Sequence, residues 1–324
     1  MGLFDKFFKD DEKTTIAYFD NGQKKEEIEY KNGKRNGLEI IWYENGRKRY
    51  ESEWKNGKLN GLKISWYENG QKFGEVNYKD GLMEGCGTSW YESGNKKQET
   101  HYKNDYEDGR SSEWYENGQK LEFFVSNGKL NGLWTEWYEK GQKKRELNYK
   151  NGHEDGCCTE WYENGQKQFE RNYKNGKKEG LLTNWYEDGQ KMDERIHKNG
   201  KLEGLKTGWY ENGQKFDERI YKNGKLEGLW TSWYESGNKK GEEDWKNGYE
   251  DGRSTEWYRN GQKEVEVNYK DGTWEGLYTE WYMSGQKKEE GHGENDEKDG
   301  VWTFWDKEGN VTKTETYKDG ELVK

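Results

Sequence analysis

Glutamate is the most regularly spaced of the residues in this chain that could do chemistry. A Glu lies nine residues after the start of a recurring Trp-Tyr-Glu-Asn-Gly phrase, at Glu27, Glu51, Glu75, Glu99, Glu146, Glu170, Glu194, Glu218, Glu242, Glu266 and Glu290; Glu122 comes one residue earlier, and Thr314 stands in the last unit. Rows of carboxylates can serve as general acids or calcium ligands. Catalysis needs one asymmetric constellation, whereas this Glu recurs along the whole chain. We therefore expect it to pair with neighbouring Lys or to accept hydrogen bonds from turn amides.

The histidines and cysteines form no ligand or nucleophile pattern. The four histidines are scattered, and His197 stands where other units carry Tyr or Trp. Cys86 and Cys157 share a column three units apart, and Cys157 and Cys158 are neighbours expected to point to opposite faces of a strand. There is no zinc spacing, phosphate-binding Gly loop or nucleophile with a base. We therefore predict a protein that is not an enzyme and has no cofactor and no metal.

The composition favours a thin sheet covered by aromatic rings. Only 28% of the 324 residues are hydrophobic and 37% are charged, which is too little aliphatic material for a thick core. Such values are typical of disorder, but 16% of the residues are aromatic, including 18 Trp and 24 Tyr. The apolar surface is therefore carried by large rings.

The charge restricts the partners. The formal net charge is −10, whereas nucleic acids and anionic membranes attract a positive surface. We expect a protein partner, basic proteins included, and no nucleic acid. Three cysteines make no disulfide framework, so we expect a cytoplasmic location.

The recurring phrase divides the chain into thirteen units. Its first residue is Tyr18, Trp42, Trp66, Trp90, Trp114, Trp137, Trp161, Trp185, Trp209, Trp233, Trp257, Trp281 and Trp305. Every interval is 24 residues except that from Trp114 to Trp137, which is 23. Such self-similarity is the signature of repeat architectures.

Each unit carries two turn signals and a third Gly. Asn45-Gly46 and Asn56-Gly57, with their equivalents, predict hairpin turns, and Asp105 and Asp296 replace the second Gly in two units. The third Gly lies five residues before each later Trp, as at Gly37, where we expect rings to lie flat on the backbone. Proline is absent, as a continuous ladder requires. We predict an all-β fold: an elongated, single twisted antiparallel sheet, a hairpin solenoid of about 26 strands.

Two-residue turns at both Asn-Gly sites would fix the two faces of this sheet. One face would hold Leu38, Ile40, Trp42, Glu51, Leu62, Ile64 and Trp66, and the other Tyr43, Tyr50, Trp54, Leu59, Gly61 and Tyr67. A bulge at the third Gly would shift this assignment by one residue.

The first thirteen residues are expected to form a separate amphipathic cap segment, followed by the repeat domain at 14–324. Leu3, Phe4, Phe7 and Phe8 could share one face of a short helix. Two roles are open: a cap over the first sheet edge, or an anchor to a membrane or partner through residues 3–8. The segment lacks the features of a secretory signal, and Lys6 does not fit a myristoylation motif.

Units such as LWTSWYESGNKKGEEDWKNGYEDG resemble MORN repeats, specifically the bacterial MORN-variant class. The resemblance covers nearly the whole chain, through Tyr or Trp, Asn-Gly and Gly recurring together. Proteins of this class are often catalogued with the YwqK-type antitoxin or immunity family. The resemblance implies a bacterial protein that binds and neutralises a toxin domain. Eukaryotic relatives of the fold are associated with membrane tethering and scaffolding.

Columns that vary between units are the expected partner surface of a repeat protein. They lie after the Gln-Lys pair and three residues before Trp, and the shortened unit adds its own apolar residues. The candidates are Phe73, Leu121, Phe123, Phe124, Trp134, Phe169, Met192, Phe216, Trp230, Tyr278 and Trp302. The alternative is that these rings only thicken the covering of the sheet.

Two functions follow. The first is a binding protein of the antitoxin or immunity type. The second is a structural scaffold that self-associates along its edges or attaches to membranes through the N-terminal Phe cluster.

Overall fold

The computed structural model describes residues 11–323 as β-strands joined by turns, with no helix in that range. The first of two compact units ends at Glu154 and the second begins at Asp155. The all-β prediction is confirmed. Residues 1–10, which include the proposed Phe cluster, lie outside the described range. The first strand begins at Glu12, two residues before the predicted start of the repeat domain.

Strands of the first unit are β1 (Glu12–Tyr18), β2 (Lys24–Lys31), β3 (Lys34–Trp42), β4 (Lys48–Lys55), β5 (Lys58–Trp66), β6 (Lys72–Lys79), β7 (Leu82–Met83), β8 (Gly85–Trp90), β9 (Lys96–Lys103), β10 (Tyr106–Trp114), β11 (Lys120–Ser126), β12 (Lys129–Leu130), β13 (Gly132–Trp137) and β14 (Lys143–Lys150). The division between the units falls within β15 (His153–Trp161).

The second unit continues with β16 (Lys167–Lys174), β17 (Lys177–Trp185), β18 (Lys191–Lys198), β19 (Lys201–Trp209), β20 (Lys215–Lys222), β21 (Lys225–Leu226), β22 (Gly228–Trp233), β23 (Lys239–Lys246), β24 (Tyr249–Trp257), β25 (Lys263–Lys270), β26 (Thr273–Trp281), β27 (Lys287–Glu294), β28 (Glu297–Trp305), β29 (Val311–Lys318) and β30 (Glu321–Leu322).

The described pairings are all antiparallel and join consecutive strands, except that β6, β11 and β20 each pair both with the next short strand and with the one after it. The second strand of three repeats is interrupted, giving β7 and β8, β12 and β13, and β21 and β22, and the short β30 follows the last turn. These features raise the number of strands from the 26 expected to 30. Within each unit the chain is therefore a succession of hairpins.

The second turn of each repeat is the predicted two-residue hairpin turn. Asn56 and Gly57 have φ of 51° and 82°, and the flanking Lys55 and Lys58 are register partners. Two positive φ angles define a type I′ turn. Asp105 and Asp296, which replace Gly, also have positive φ (69° and 65°).

The first turn is longer than expected, which corrects the prediction. Tyr43 N–H donates to the carbonyl of Arg47 at 2.8 Å, and Trp42 pairs with Lys48, so the loop has five residues. Asn45 does not have positive φ; its Oδ1 accepts the Arg47 N–H at 3.0 Å. One extra residue, Arg49, follows in β4 before Ile41 pairs with Tyr50. This bulge restores the register that a two-residue turn would give, so the predicted faces are retained.

Successive five-residue loops are joined by side-chain ladders. Tyr43 Oη donates to the Trp66 carbonyl at 2.8 Å, and Asn45 Nδ2 donates to the Glu68 carbonyl at 3.1 Å. The same tyrosine bond is made by Tyr67, Tyr91, Tyr162, Tyr186, Tyr210, Tyr234, Tyr258 and Tyr282. Tyr115, before the 23-residue interval, makes no such bond within the described residues and is 47% exposed. The missing residue thus interrupts the ladder.

The third Gly has a different role from the one predicted. Gly37 and Gly61 have φ of 110° and 132°, a region that residues with a Cβ rarely adopt. Between the pairs Trp54–Leu59 and Ser52–Lys63, β5 holds three residues opposite Glu53 alone. The bulge therefore adds two residues, which preserves the alternation of faces. The expectation of a one-residue shift, and of rings lying on this Gly, is wrong.

Rings do lie on glycines, but on those outside the three columns. A Cβ on Gly291 would meet the Trp302 ring at 2.2 Å, one on Gly293 would meet Trp274 at 2.1 Å, and one on Gly208 would meet Phe216 at 2.4 Å. Absence of a side chain at these positions lets a large ring lie against the strand.

The two faces differ in chemistry. We call the face with the repeated Trp, Lys and Glu the indole face: Lys48 pairs with Glu51 and lies 5.8 Å from the centroid of the Trp66 ring. The same Lys–Glu pair recurs along the chain, so the pairing predicted for the Glu row is confirmed. We call the other side the phenol face. It carries the Tyr78, Tyr102 and Tyr221 row beside a buried row that includes Leu147 and Leu182, which are 1% and 2% exposed.

Candidate functional site

Trp302, one of the predicted partner-binding residues, is fully buried. Its ring lies on Gly291, and its Nε1 donates to the His292 carbonyl at 3.0 Å. Lys298 Nζ covers the ring at 3.8 Å from its centroid. The ring is therefore part of the covering of the sheet and is not accessible to a partner in this conformation.

Several other predicted rings are also covered by the chain. Arg171 lies 3.7 Å from the centroid of the Phe169 ring, and Arg219 lies 4.2 Å from that of Trp230. Arg145 lies 5.7 Å from the Trp134 centroid, and Phe216 packs on Tyr210 with centroids 5.6 Å apart. Leu121, Phe123, Met192 and Tyr278 are half-buried.

Phe73 and Phe124 are the predicted residues that remain well exposed, at 50% and 43%. Phe73 makes an edge contact with Tyr67, with centroids 5.2 Å apart. Phe124 belongs to the shortened repeat and, with Phe123 and Leu133, lines an open cavity of about 630 Å³. The predicted residues thus do not form one contiguous surface.

A contiguous apolar row lies elsewhere, on the indole face of the second unit. Leu181, Ile196, Leu205, Ile220 and Leu229 are each more than 40% exposed, and we call them the Leu–Ile row. Sequence reasoning missed it because Leu recurs at the Leu181 position in many repeats, whereas a partner surface is expected in columns that vary. The available signal was Ile196 and Ile220, which stand where most other repeats carry a polar residue, Glu, Asn, Asp, His or Thr, and the shortened repeat carries Phe124.

The strand register makes the Leu–Ile row continuous. Leu181 pairs with Ile196 across β17 and β18, and Leu205 pairs with Ile220 across β19 and β20. Ile196 Cδ1 lies 3.8 Å from where a Cβ would stand on Gly204, and Ile220 Cδ1 lies 3.6 Å from the same position on Gly228. The side chains therefore bridge each bulge to the next strand.

Polar residues bound the row. Asn172 precedes it, and Asp244, the register partner of Leu229, follows it. Asp244 Oδ2 accepts the N–H of Arg253 at 3.2 Å. In the first unit Glu29 does the same for the N–H of Leu38 at 2.8 Å. Where this position is Ile, no side-chain acceptor is present and the surface is apolar.

A second notable feature is a pocket on the phenol face of the second unit. Its volume is about 330 Å³, and it is lined by Ser254, Glu256, Val265, Val267, Tyr269, Trp274, Tyr278 and Asp296. Burial, with the nearby Glu280 and Glu289 carboxylates, raises the pKa of Tyr278 far above its usual value. We call this the acidic aromatic pocket.

Other types of site have little support in the described part of the chain. No group of three or more His, Cys, Asp or Glu among residues 11–323 could hold a metal ion. Within the same residues there is no helix long and apolar enough to cross a bilayer.

Comparisons with known proteins identify the repeats. The family model described as "MORN repeat variant" matches residues 12–32, 35–56, 59–80, 83–104, 130–151, 154–175, 226–247, 250–271 and 298–319, more than half of the chain. No curated protein sequence matches.

Solved structures give only distant matches. One is the crystal structure of TcdB2-TccC3, with 10% identity, 94% of this chain and 18% of that chain covered, and a TM-score of 0.16. Another is the Photorhabdus luminescens Tc holotoxin pore, with 10% identity, 94% and 17% coverage, and a TM-score of 0.19. This chain thus spans less than a fifth of the length of either. TM-scores this low support no conclusion about function.

Proposed function

We propose that this chain, which belongs to the MORN repeat variant family, is a non-enzymatic scaffold that binds a partner protein through the Leu–Ile row. One observation carries the proposal: five adjacent Leu and Ile side chains, each more than 40% exposed, lie side by side across successive strands. Single exposed apolar residues are ordinary, whereas contiguous ones mark interaction sites.

A protein is the partner that this surface suits best. The row crosses β17 to β22, and strand spacing of about 4.8 Å gives it a length of about 19 Å. Lys191 and Lys215 on the same face are paired with Glu194 and Glu218, so they add little net positive potential. An apolar row with a balanced polar rim is the usual anatomy of a protein interface.

The finer proposal is that the partner is a toxin domain and that the chain is its antitoxin or immunity protein in the bacterial cytoplasm. Its support is the resemblance of the repeats to a class catalogued with such proteins. Binding alone could block a toxin by covering its active surface, without any chemistry by this chain.

The partner-binding proposal is tested by affinity capture with three baits. The first is the wild-type chain and the second carries Ile196→Glu and Ile220→Glu. The third carries Asn77→Glu and Asn172→Glu, which make the same charge change in the same column outside the row. We expect one protein to bind the wild type and the third bait but not the second. With the purified partner, the second bait should bind at least about tenfold more weakly.

Equal binding of the partner to all three baits would exclude the Leu–Ile row as its site. The antitoxin role is tested by expressing the purified partner's gene with each variant. Growth arrest that the wild type relieves and the Ile196→Glu, Ile220→Glu variant does not would support that role. If expression of the partner had no effect on growth, the antitoxin role would be excluded and the role of a protein-binding scaffold would be retained.

A further inference from the structure

Cations cover aromatic rings throughout this molecule. Arg35 lies 4.9 Å from the centroid of the Trp54 ring, Arg219 lies 4.2 Å from that of Trp230, and Lys298 lies 3.8 Å from that of Trp302. On the indole face, a Lys lies over the repeated Trp of the following unit in the same way. Among the described residues, most Trp rings in both compact units therefore have a Lys or Arg over them.

The acidic aromatic pocket departs from this rule. Among the described residues, no Lys or Arg lies over Tyr269, Trp274 or Tyr278, and no Lys or Arg lines the pocket. The Trp274 and Tyr278 rings contact each other, tilted by 59° with centroids 5.6 Å apart, and the Trp302 ring packs against both, at centroid distances of 5.9 and 5.6 Å. The negative face of such a ring attracts a cation placed over it.

The acids of the pocket also lack basic partners. Within residues 11–323, neither Glu256 nor Asp296 forms an ion pair with a Lys or Arg, although Asp296 Oδ1 accepts the N–H of Trp274 at 2.7 Å. The basic side chains on the two following strands are already engaged. Lys288 pairs with Glu280 at 2.7 Å, and Lys298 pairs with Glu289 at 3.1 Å.

Two more acids, Glu243 and Glu250, lie nearby on β23 and β24. Burial raises the pKa of Glu243, and the nearby Glu250 and Glu256 carboxylates add to the effect. Burial likewise raises the pKa of Glu250. Carboxylates crowded in this way favour the approach of a cation, because it relieves their mutual repulsion.

We propose that the acidic aromatic pocket binds a cationic side chain, Lys or Arg, of the partner protein. This inference rests on the proposed function and assigns a charged anchor to the same partner. The pocket volume of about 330 Å³ is at the small end of ligand sites and suits one long side chain. The ammonium or guanidinium would take the place that Arg219 or Lys298 occupies at the neighbouring rings.

The proposal can be tested without the partner, by ¹⁹F NMR of the full chain labelled with 5-fluorotryptophan. The Trp274→Phe variant assigns the Trp274 signal, and Trp230, which has Arg219 over its ring, is the internal control. The probes are the blocked amino acids Nα-acetyl-arginine methylamide, Nα-acetyl-lysine methylamide and the neutral Nα-acetyl-citrulline methylamide. We expect the first two to shift the Trp274 signal saturably, with Kd on the order of 10 mM, and the third not to.

Two variants link the effect to the acids. Glu256→Gln and Asp296→Asn should each weaken binding of the arginine probe about fivefold, and Glu235→Gln, a surface acid outside the pocket, should not. An equal shift with citrulline, or no shift of Trp274 with any probe, would overturn the proposal. Either result leaves capture through the Leu–Ile row intact, so the failure of one is distinguishable from failure of the other.

Discussion

One column of the repeat is polar at Glu29 in the first compact unit and apolar at Ile196 and Ile220 in the second. In the first unit Glu29 accepts a backbone N–H of the next strand at 2.8 Å, so the side chain is part of the bulge. In the second unit Ile196 and Ile220 stand at this position and contribute to an exposed apolar row. The backbone bulge is present in both, with positive φ at Gly37 and at Gly204. A repeat scaffold can therefore exchange a stabilising contact for a binding surface without changing its backbone.

The largest expected effect is a loss of stability that distinguishes the buried neighbours of the Leu–Ile row from the row itself. Leu182→Ala removes a side chain that is 2% exposed and should lower the free energy of unfolding by about 2–4 kcal/mol. Leu181→Ala, its 50% exposed neighbour, should change it by less than about 0.5 kcal/mol. Hydrogen exchange of β17 and β18 measures both locally. A large loss of stability with Leu181→Ala would show that the Leu–Ile row stabilises the fold and is not a free surface.

The second prediction concerns the side-chain hydrogen bond made at the polar positions of this column. Glu29→Ile removes the acceptor of the Leu38 N–H and should lower local stability by about 1 kcal/mol. Asn77→Ile is the matched control, because Asn77 makes no side-chain bond to the next strand in the described residues. Urea titration followed by hydrogen exchange of β3 measures the difference. If Glu29→Ile and Asn77→Ile lowered stability equally, the bond from Glu29 to the next strand would not be what distinguishes the polar positions of this column from the apolar ones.

The third prediction tests the framework that the two regions share. Tyr67→Phe in the first unit and Tyr210→Phe in the second each delete one bond of the loop ladder, at 3.0 and 2.9 Å. Each should cost about 1 kcal/mol, and Tyr115→Phe, outside the ladder, close to nothing. Thermal unfolding of the three variants measures this. A cost in only one unit would mean that the framework itself differs.

The smallest effect concerns His197, which follows Ile196 in the chain, lies on the opposite, phenol face and is 8% exposed. Burial, with Lys178 and Arg195, lowers its pKa. As the pH falls below about 6.5, the unfolded chain gains a proton that the folded chain does not, so stability falls. His197→Tyr, the residue of most other units, should remove a few tenths of a kcal/mol of this pH dependence. The urea midpoint of each protein is measured at pH 7.5 and at pH 5.5. If the midpoint fell by the same amount in the wild type and in His197→Tyr, His197 would not be the source of the pH dependence.

The turns show how far a sequence can predict this fold. Asn56-Gly57 forms the type I′ turn that its residues favour, whereas Asn45-Gly46, the same dipeptide, lies in a five-residue loop. The difference arises from the Tyr43 and Asn45 bonds to the following repeat, which are tertiary contacts. The predicted faces are retained because the extra residue in β4 offsets the odd length of the loop, and because the bulge at the third Gly adds two residues.

The candidate site was harder to predict from the sequence. The prediction relied on aromatic residues in variable columns, but Trp302 is buried because Gly291, which lies outside the three recurring Gly columns, makes room for its ring. The exposed row consists of Leu and Ile, residue types that usually indicate a core. Only the register, which brings residues 181 to 229 side by side, shows that they form one surface.

Each strand pairs only with strands near it in the sequence. A protein of this kind can therefore change its length by whole repeats. Removing one whole 24-residue period leaves every remaining strand with a partner of the same kind and rejoins two equivalent loops. Stability in such chains is close to a sum of local terms. Duplication or loss of single periods between the Leu–Ile row and the acidic aromatic pocket would therefore change the distance between them in fixed steps. Such changes could match the two sites to partners of different size.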